Sequence, residues 1–222
     1  MKLLIGNKNY SSWSLRPWLL LTHLQIPFEE EKLSFNDPAF KARVGKYSPV
    51  GQVPVLVEGD VAIWDSLAIV EYVAETFPDR GVWPGDRAAR ARARAICAEI
   101  HSGFNALRDA MPMNCELRVD WVPQDVRVQR DIARIVASWS DCRARFGAGG
   151  RFLFGAFSAA DAYYAPVVRR FLGFAVKLPE VAAAYVATMD ALPAMRAWVT
   201  TGLAEHDFVE VDEPYREPPA RK

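Results

Sequence analysis

The chain has 222 residues, 51% of them hydrophobic and 24% charged, with a formal net charge of zero. At ~100–200 residues per domain this is one large or two small domains, with the composition of an ordinary soluble globular protein. A neutral balance gives no electrostatic reason for nucleic acid or an anionic membrane as partner, no run reaches the ~18 apolar residues of a membrane span, and the apolar run after Met1 is too short for a signal peptide.

Lys2 to Gly6 reads as a buried strand. Ser14 to Gln25 reads as a helix, with Pro17 tolerated because the first helical turn needs no donor there. Phe28 to Leu33 is a second strand, and Asp37 to Val44 a short helix with Pro38 at its first position. Val53–Val57 and Val61–Trp64 are β-rich and separated by Glu58-Gly59-Asp60, a hairpin signal. Asp65 to Phe77 carries apolar residues at helical spacing. The order β-α-β, α, β-β-α predicts a mixed sheet with a thioredoxin-like plan.

The stretch from Phe77 to Asp86 holds two prolines, two glycines and two aspartates and reads as a linker. Beyond it the strand texture ends. Helices are expected over Arg87–Ala110, Val126–Phe146 (closed by Gly147-Ala148-Gly149-Gly150), Ser158–Leu172, Pro179–Asp190 and Pro193–Glu205. The tail from Glu213 to Lys222 holds three prolines and is expected to be irregular. The expected division is an α/β domain over 1–77, a linker over 78–86 and an all-α helical bundle over 87–222.

Three places could carry chemistry. Ser11, Ser12 and Ser14 lie where a strand hands over to a helix N-terminus, whose unpaired N–H groups and dipole favour an anion such as a thiolate or carboxylate. Helix capping is the alternative for all three, and Ser14 is expected to be a cap. Val53-Pro54 precedes a strand that proline cannot join from inside. There a bent entrance would leave the Val53 backbone free to pair with an extended peptide. Asp65-Ser66 opens a helix and reads either as a cap or as a pair taking an ammonium and a carboxylate. Cys97, Cys115 and Cys142 form no C-x-x-C pair and no metal pattern with the three histidines, so no metal is expected and a reducing cytoplasm fits.

On these residues the chain resembles the glutathione S-transferase family over nearly its whole length. Ser11-Ser12-Trp13-Ser14-Leu15-Arg16 is similar to the zeta-class signature Ser-Ser-Cys-x-x-Arg. Gln52-Val53-Pro54 is similar to the family segment that ends in a cis-proline, and Asp65-Ser66 to the pair that holds a γ-glutamyl group. Ser158-Ala159-Ala160-Asp161 is similar to the capping box of the second domain. The resemblance implies a thioredoxin-like N-terminal domain followed by a helical-bundle C-terminal domain, glutathione as co-substrate, and a cytoplasmic homodimer. It implies Ser11 as the residue that activates the glutathione thiol. Counting back from Arg16 as in other serine-type members gives Ser12 instead, and Tyr10 is a third candidate. Gln52, Val53, Pro54, Asp65 and Ser66 would bind glutathione. A small apolar electrophile would sit between the domains, for conjugation or isomerisation. Trp13 departs from the signature's cysteine, which argues against disulfide exchange and puts a maleylacetoacetate isomerase assignment in doubt. The alternative is a non-catalytic glutathione- or protein-binding member of the same fold.

Other features read as structural. Arg87, Arg90, Arg92 and Arg94 form a basic, solvated or interface face. His101, Asn105 and Arg108 lie at spacings of four and three, hence on one helix face. In the family that helix lines the electrophile pocket, although an interdomain role suits each of them better. Met111, Met113 and Trp121 are candidates for adaptable apolar lining.

Overall fold

The computed structural model describes residues 1–216, so the last part of the proline-containing tail lies outside the described residues. Strand β1 (Lys2–Ile5) is followed by α1 (Ser12–His23) and β2 (Glu29–Lys32), then α2 (Phe40–Gly45), β3 (Val55–Glu58), β4 (Val61–Trp64) and α3 (Ser66–Thr76). The four strands form one sheet in the order β2-β1-β3-β4. β1 runs parallel to β2 and antiparallel to β3, while β3 and β4 form the expected hairpin with Gly59 at φ +56°. Side-chain alternation along β1 explains the layers. Leu3 and Ile5 enter the main core with Leu15, Leu19, Ile69 and Val70 from α1 and α3. Leu4 faces the other way, joining Leu33, Val44 and Val55 in a smaller cluster to which α2 contributes.

Helix α1 begins two residues earlier than the sequence suggests, because the Ser11 carbonyl already accepts the Leu15 N–H at 3.1 Å. Pro17 therefore lies inside the helix, beyond its first turn, and its missing N–H leaves the Trp13 carbonyl without an intrahelical donor. Ser14 is not a cap. It lies within the first turn, fully buried. Helix α2 starts later than expected, since Asp37 accepts the Ala39 N–H at 2.8 Å in a turn that precedes the helix.

The second half is helical: α4 (Arg87–Ser102), α5 (Asn105–Ala110), α6 (Val126–Phe146), α7 (Ala159–Gly173), α8 (Glu180–Asp190) and α9 (Pro193–Ala204). The single helix expected over Arg87–Ala110 is broken. α4 closes with the Gly103 N–H on the Glu99 carbonyl, Phe104 takes a left-handed φ of +57°, and the start of α5 is held by Asp131 of α6, which accepts the Leu107 N–H at 3.1 Å. His101 thus sits on a different helix from Asn105 and Arg108. Helix α7 is the buried centre. Its capping box is present, with the Ser158 N–H donating to Asp161 at 2.9 Å. Asp161 also accepts the Leu153 N–H at 3.1 Å and so anchors the preceding loop. One continuous core runs from Leu3 and Leu15 through Ile96, Trp139 and Tyr164 to Trp198, joining the sheet half to the helices. The arginine face of α4 is used structurally: Arg94 pairs with Glu71 at 3.0 Å, Arg92 with Asp141 at 3.5 Å, and Arg90 donates to the Pro84 carbonyl at 2.9 Å.

Candidate functional site

A cleft of about 660 Å³ opens where β1 and β4 hand over to helices and the chain enters β3. Ser11, Ser12, Gln52, Val53, Pro54, Asp65 and Ser66 all line it, so every residue singled out for binding or activation shares one concavity. Trp13, Trp64, Phe35 and Phe40 supply apolar walls, and Asp212 reaches in from the C-terminal segment.

At one end lies the N-terminus of α1. The turn Asn7–Ser11 winds directly into it, with the Tyr10 and Ser11 N–H groups on the Asn7 carbonyl. Ser11 is buried and its hydroxyl lies 2.7 Å from that of Ser14, which also accepts the Gly6 N–H at 3.2 Å. Ser12, less buried, has no side-chain hydrogen bond among the described residues. Tyr10 is committed elsewhere. Its hydroxyl donates to Glu213, and burial together with that bond raises its pKa, which makes it a poor source of a thiolate-stabilising proton.

At the other end is the N-terminus of α3. Asp65 holds φ +73° and ψ 127°, an uncommon conformation for a residue other than glycine, and accepts the Leu67 N–H at 2.7 Å. Its second oxygen is 3.3 Å from His101 Nε2. Ser66 is buried, with its hydroxyl 3.1 Å from that of Tyr163 on α7. Between the two ends the Val53–Pro54 bond is cis, as the resemblance implies. The β1–β3 ladder stops at Leu4 and Val55, so Val53 lies beyond the last paired residue.

Behind the cleft, Trp13 is held by cations. The Arg16 guanidinium is 4.1 Å from its ring centre, that of Arg108 4.6 Å, and His101 meets it edge-on at 5.1 Å. Arg16 also lies 4.7 Å from the Tyr163 ring, and its Nε and Nη1 are sealed without a hydrogen-bond partner. Burial lowers its pKa to about 10, so it remains a cation at neutral pH.

The helical half lines the cleft less than expected. Met111 and Met113 are packed in the core, and Trp121 stands edge-on to Phe174 and Tyr215. Tyr163 and Asp212 went unnoticed in the sequence. Tyr163 lies in an apolar helix where any aromatic reads as core, and Asp212 lies between the last expected helix and the expected tail, in a short 3-10 turn without a periodic signal. The three cysteines are buried and unpaired, and none is among the residues lining the cleft. Among the described residues no group of His, Cys, Asp or Glu could hold a metal ion, and no helix is long and apolar enough to cross a membrane.

Two family models match, the glutathione S-transferase N-terminal domain over residues 10–76 and the glutathione S-transferase C-terminal domain over residues 125–201, together more than half of the chain. The chain belongs to the glutathione S-transferase family. Among curated relatives it is 40% identical over 73 residues to dichloromethane dehalogenase of Methylorubrum extorquens, covering 32% of this chain and 25% of that one. It is 34% identical over 98 residues to a probable maleylacetoacetate isomerase of Caenorhabditis elegans, covering 44% and 45% of the two chains. The chain thus spans less than half the length of either relative. Among solved structures, a bacterial zeta-class glutathione S-transferase, maleyl pyruvate isomerase in its holo form, shares the fold with a TM-score of 0.65 at 22% identity, over 94% of this chain and all of that one.

Proposed function

We propose that this member of the family is a serine-type glutathione transferase that binds glutathione along the cleft and presents its sulfur as a thiolate to a small electrophile. The observation that carries this reading is the convergence of Ser11, Ser12, Val53, Asp65 and Ser66 on one cleft. The γ-glutamyl carboxylate goes to the Ser66 N–H and hydroxyl at the N-terminus of α3, where the helix dipole favours an anion. The ammonium goes to Asp65. Gln52, Val53 and Pro54 form the middle of the site, with the Val53 backbone pairing with the cysteinyl unit as an added strand would.

The sulfur then lies at the N-terminus of α1. A free thiol has a pKa near ~8.5 and is mostly protonated at neutral pH. A hydroxyl donor, the helix N-terminus and the Arg16 cation behind Trp13 all favour the thiolate. Ser11 is the donor in this reading. In the free chain the Ser11 hydroxyl donates to Ser14 Oγ, which also accepts the Gly6 N–H, so donation to the sulfur takes a rotation of the Ser11 proton from Ser14 to the bound ligand; a hydroxyl has one proton to give. The thiolate forms a bond to an electrophilic carbon. A leaving group departs in substitution, a proton is taken up in addition, and sulfur is expelled again in isomerisation. The names of the two relatives fit substitution and isomerisation respectively.

A cytoplasmic homodimer accompanies this reading. Val61, an exposed apolar residue on the edge strand β4, lies outside the cleft on a surface a second copy could cover, and free cysteines suit a reducing compartment. Retention on immobilised glutathione, followed by conjugation and isomerisation assays over a panel of electrophiles, tests the proposal. Retention without turnover on any electrophile would favour a non-catalytic glutathione-binding protein, and no retention would exclude both of these and leave a protein-binding member of the fold.

A further inference from the structure

Asp65 has two carboxylate oxygens, and different parts of the chain hold them. Oδ1 accepts the Leu67 N–H from its own helix at 2.7 Å. Oδ2 is 3.3 Å from Nε2 of His101, which belongs to the last turn of α4. The carboxylate is otherwise loosely held, with its side chain 45% exposed on a residue of positive φ. His101 itself is only a quarter exposed. Its ring meets Trp13 edge-on at 5.1 Å, and its Nδ1 is buried without a partner. The charged groups around it are Asp65 on one side and Arg16 and Arg108 on the other; burial and the two arginines favour the neutral ring over the effect of Asp65. The contact with Asp65 is a close approach rather than an aligned hydrogen bond in the free chain; a ring proton on Nε2 would face the carboxylate and leave the sealed Nδ1 as a bare acceptor.

We infer that His101 is a positioning residue for glutathione: its Nε2–H holds the Asp65 carboxylate in the orientation that receives the γ-glutamyl ammonium. The helical half thereby contributes to affinity without touching the ligand. Trp13 transmits the same geometry, because it backs His101 and lines the cleft. The inference rests on the reading of the cleft as a glutathione site. It separates binding from activation, since His101 meets the α1 end only through the Trp13 ring and none of its polar atoms faces Ser11 or Ser12, whereas its Nε2 faces Asp65.

The test uses the whole chain with glutathione as ligand. His101→Leu is expected to weaken the calorimetric Kd for glutathione roughly tenfold, equivalent to about 1.4 kcal/mol, and to leave the pH titration of the bound thiolate where it is. His101→Gln, which can place an N–H near the same point, is expected to recover most of the affinity. An unchanged Kd in His101→Leu, a Gln variant as weak as the Leu variant, or a displaced thiolate titration would each overturn the clamp while leaving the glutathione site standing. A wild-type chain that binds no glutathione would overturn both. If His101→Leu fails to fold, the ring nitrogen shifts of wild-type His101 decide instead: a neutral ring protonated on Nε2 is expected, and one protonated on Nδ1 would overturn the inference.

Discussion

The hydroxyls of Ser11 and Ser14 are buried 2.7 Å apart, and Ser14 is tied back to β1 through the Gly6 N–H. The strand end, the loop and the first turn of α1 therefore set the position of the Ser11 oxygen. Ser11→Ala is expected to raise the pKa of enzyme-bound glutathione and lower turnover, with little change in glutathione affinity. A hydrogen bond to a charged group contributes ~1.5–3 kcal/mol and one pKa unit corresponds to ~1.4 kcal/mol, so the titration should rise by about one to two units. Thiolate absorbance against pH in the binary complex measures this. If Ser12→Ala moves that titration and Ser11→Ala does not, Ser12 is the activating residue. If neither moves it, activation by a hydroxyl is wrong.

Tyr10 provides a control at the same end of the cleft. Its hydroxyl is held by Glu213, whose other oxygen accepts from Asn114 at 3.0 Å. Tyr10→Phe should leave the bound-thiolate titration unchanged. A rise comparable with that sought for Ser11→Ala would make Tyr10 the activator and displace the serines.

Ser66→Ala should weaken glutathione binding by ~1.5–3 kcal/mol in a folded protein, as expected for a lost hydrogen bond to a carboxylate. Tyr163→Phe removes only the neutral partner of the Ser66 hydroxyl, 3.1 Å away. Its effect should be smaller, ~1 kcal/mol or less. Calorimetry on both variants distinguishes a direct ligand from a supporting one. Equal affinities for wild type and Ser66→Ala would remove Ser66 from the site.

Asp161 gives the fold a pH signature of unusual sign. Burial raises its pKa to about 6, against the N–H donors of Leu153 and Ser158 that favour its charged form. Because its native pKa exceeds the unfolded value, the native state binds the proton more tightly and loses stability as pH rises from about 4 to about 6. The shift corresponds to about 3 kcal/mol. The stability advantage of wild type over Asp161→Asn should therefore shrink by up to about that amount between pH 4 and pH 7 in urea unfolding. An advantage that grows with pH would mean that the hydrogen bonds outweigh the desolvation.

The sequence by itself determined what local forces determine. Hydrophobic period and turn chemistry specified the order of strands and helices, including the Gly59 hairpin. Cap residues such as Ser158 with Asp161 marked helix starts, because those hydrogen bonds close within four residues. Short-range logic marked the serines, Val53-Pro54 and Asp65-Ser66 as places of chemistry or capping alike, and it was the resemblance to the glutathione S-transferase family, Gln52 included, that joined them into one expected site. Only the tertiary structure decided how they are supported. The break at Gly103–Phe104 depends on Asp131 from another helix, and His101 comes within 3.3 Å of Asp65 only because the two halves pack together. The contact of Ser66 with Tyr163 joins residues 97 positions apart. Ser14, a cap by its neighbours in sequence, became a buried acceptor because β1 ends beside it. Such contacts leave no periodic trace, since each partner sits in a segment whose composition already has a local explanation, and packing alone brings them within reach.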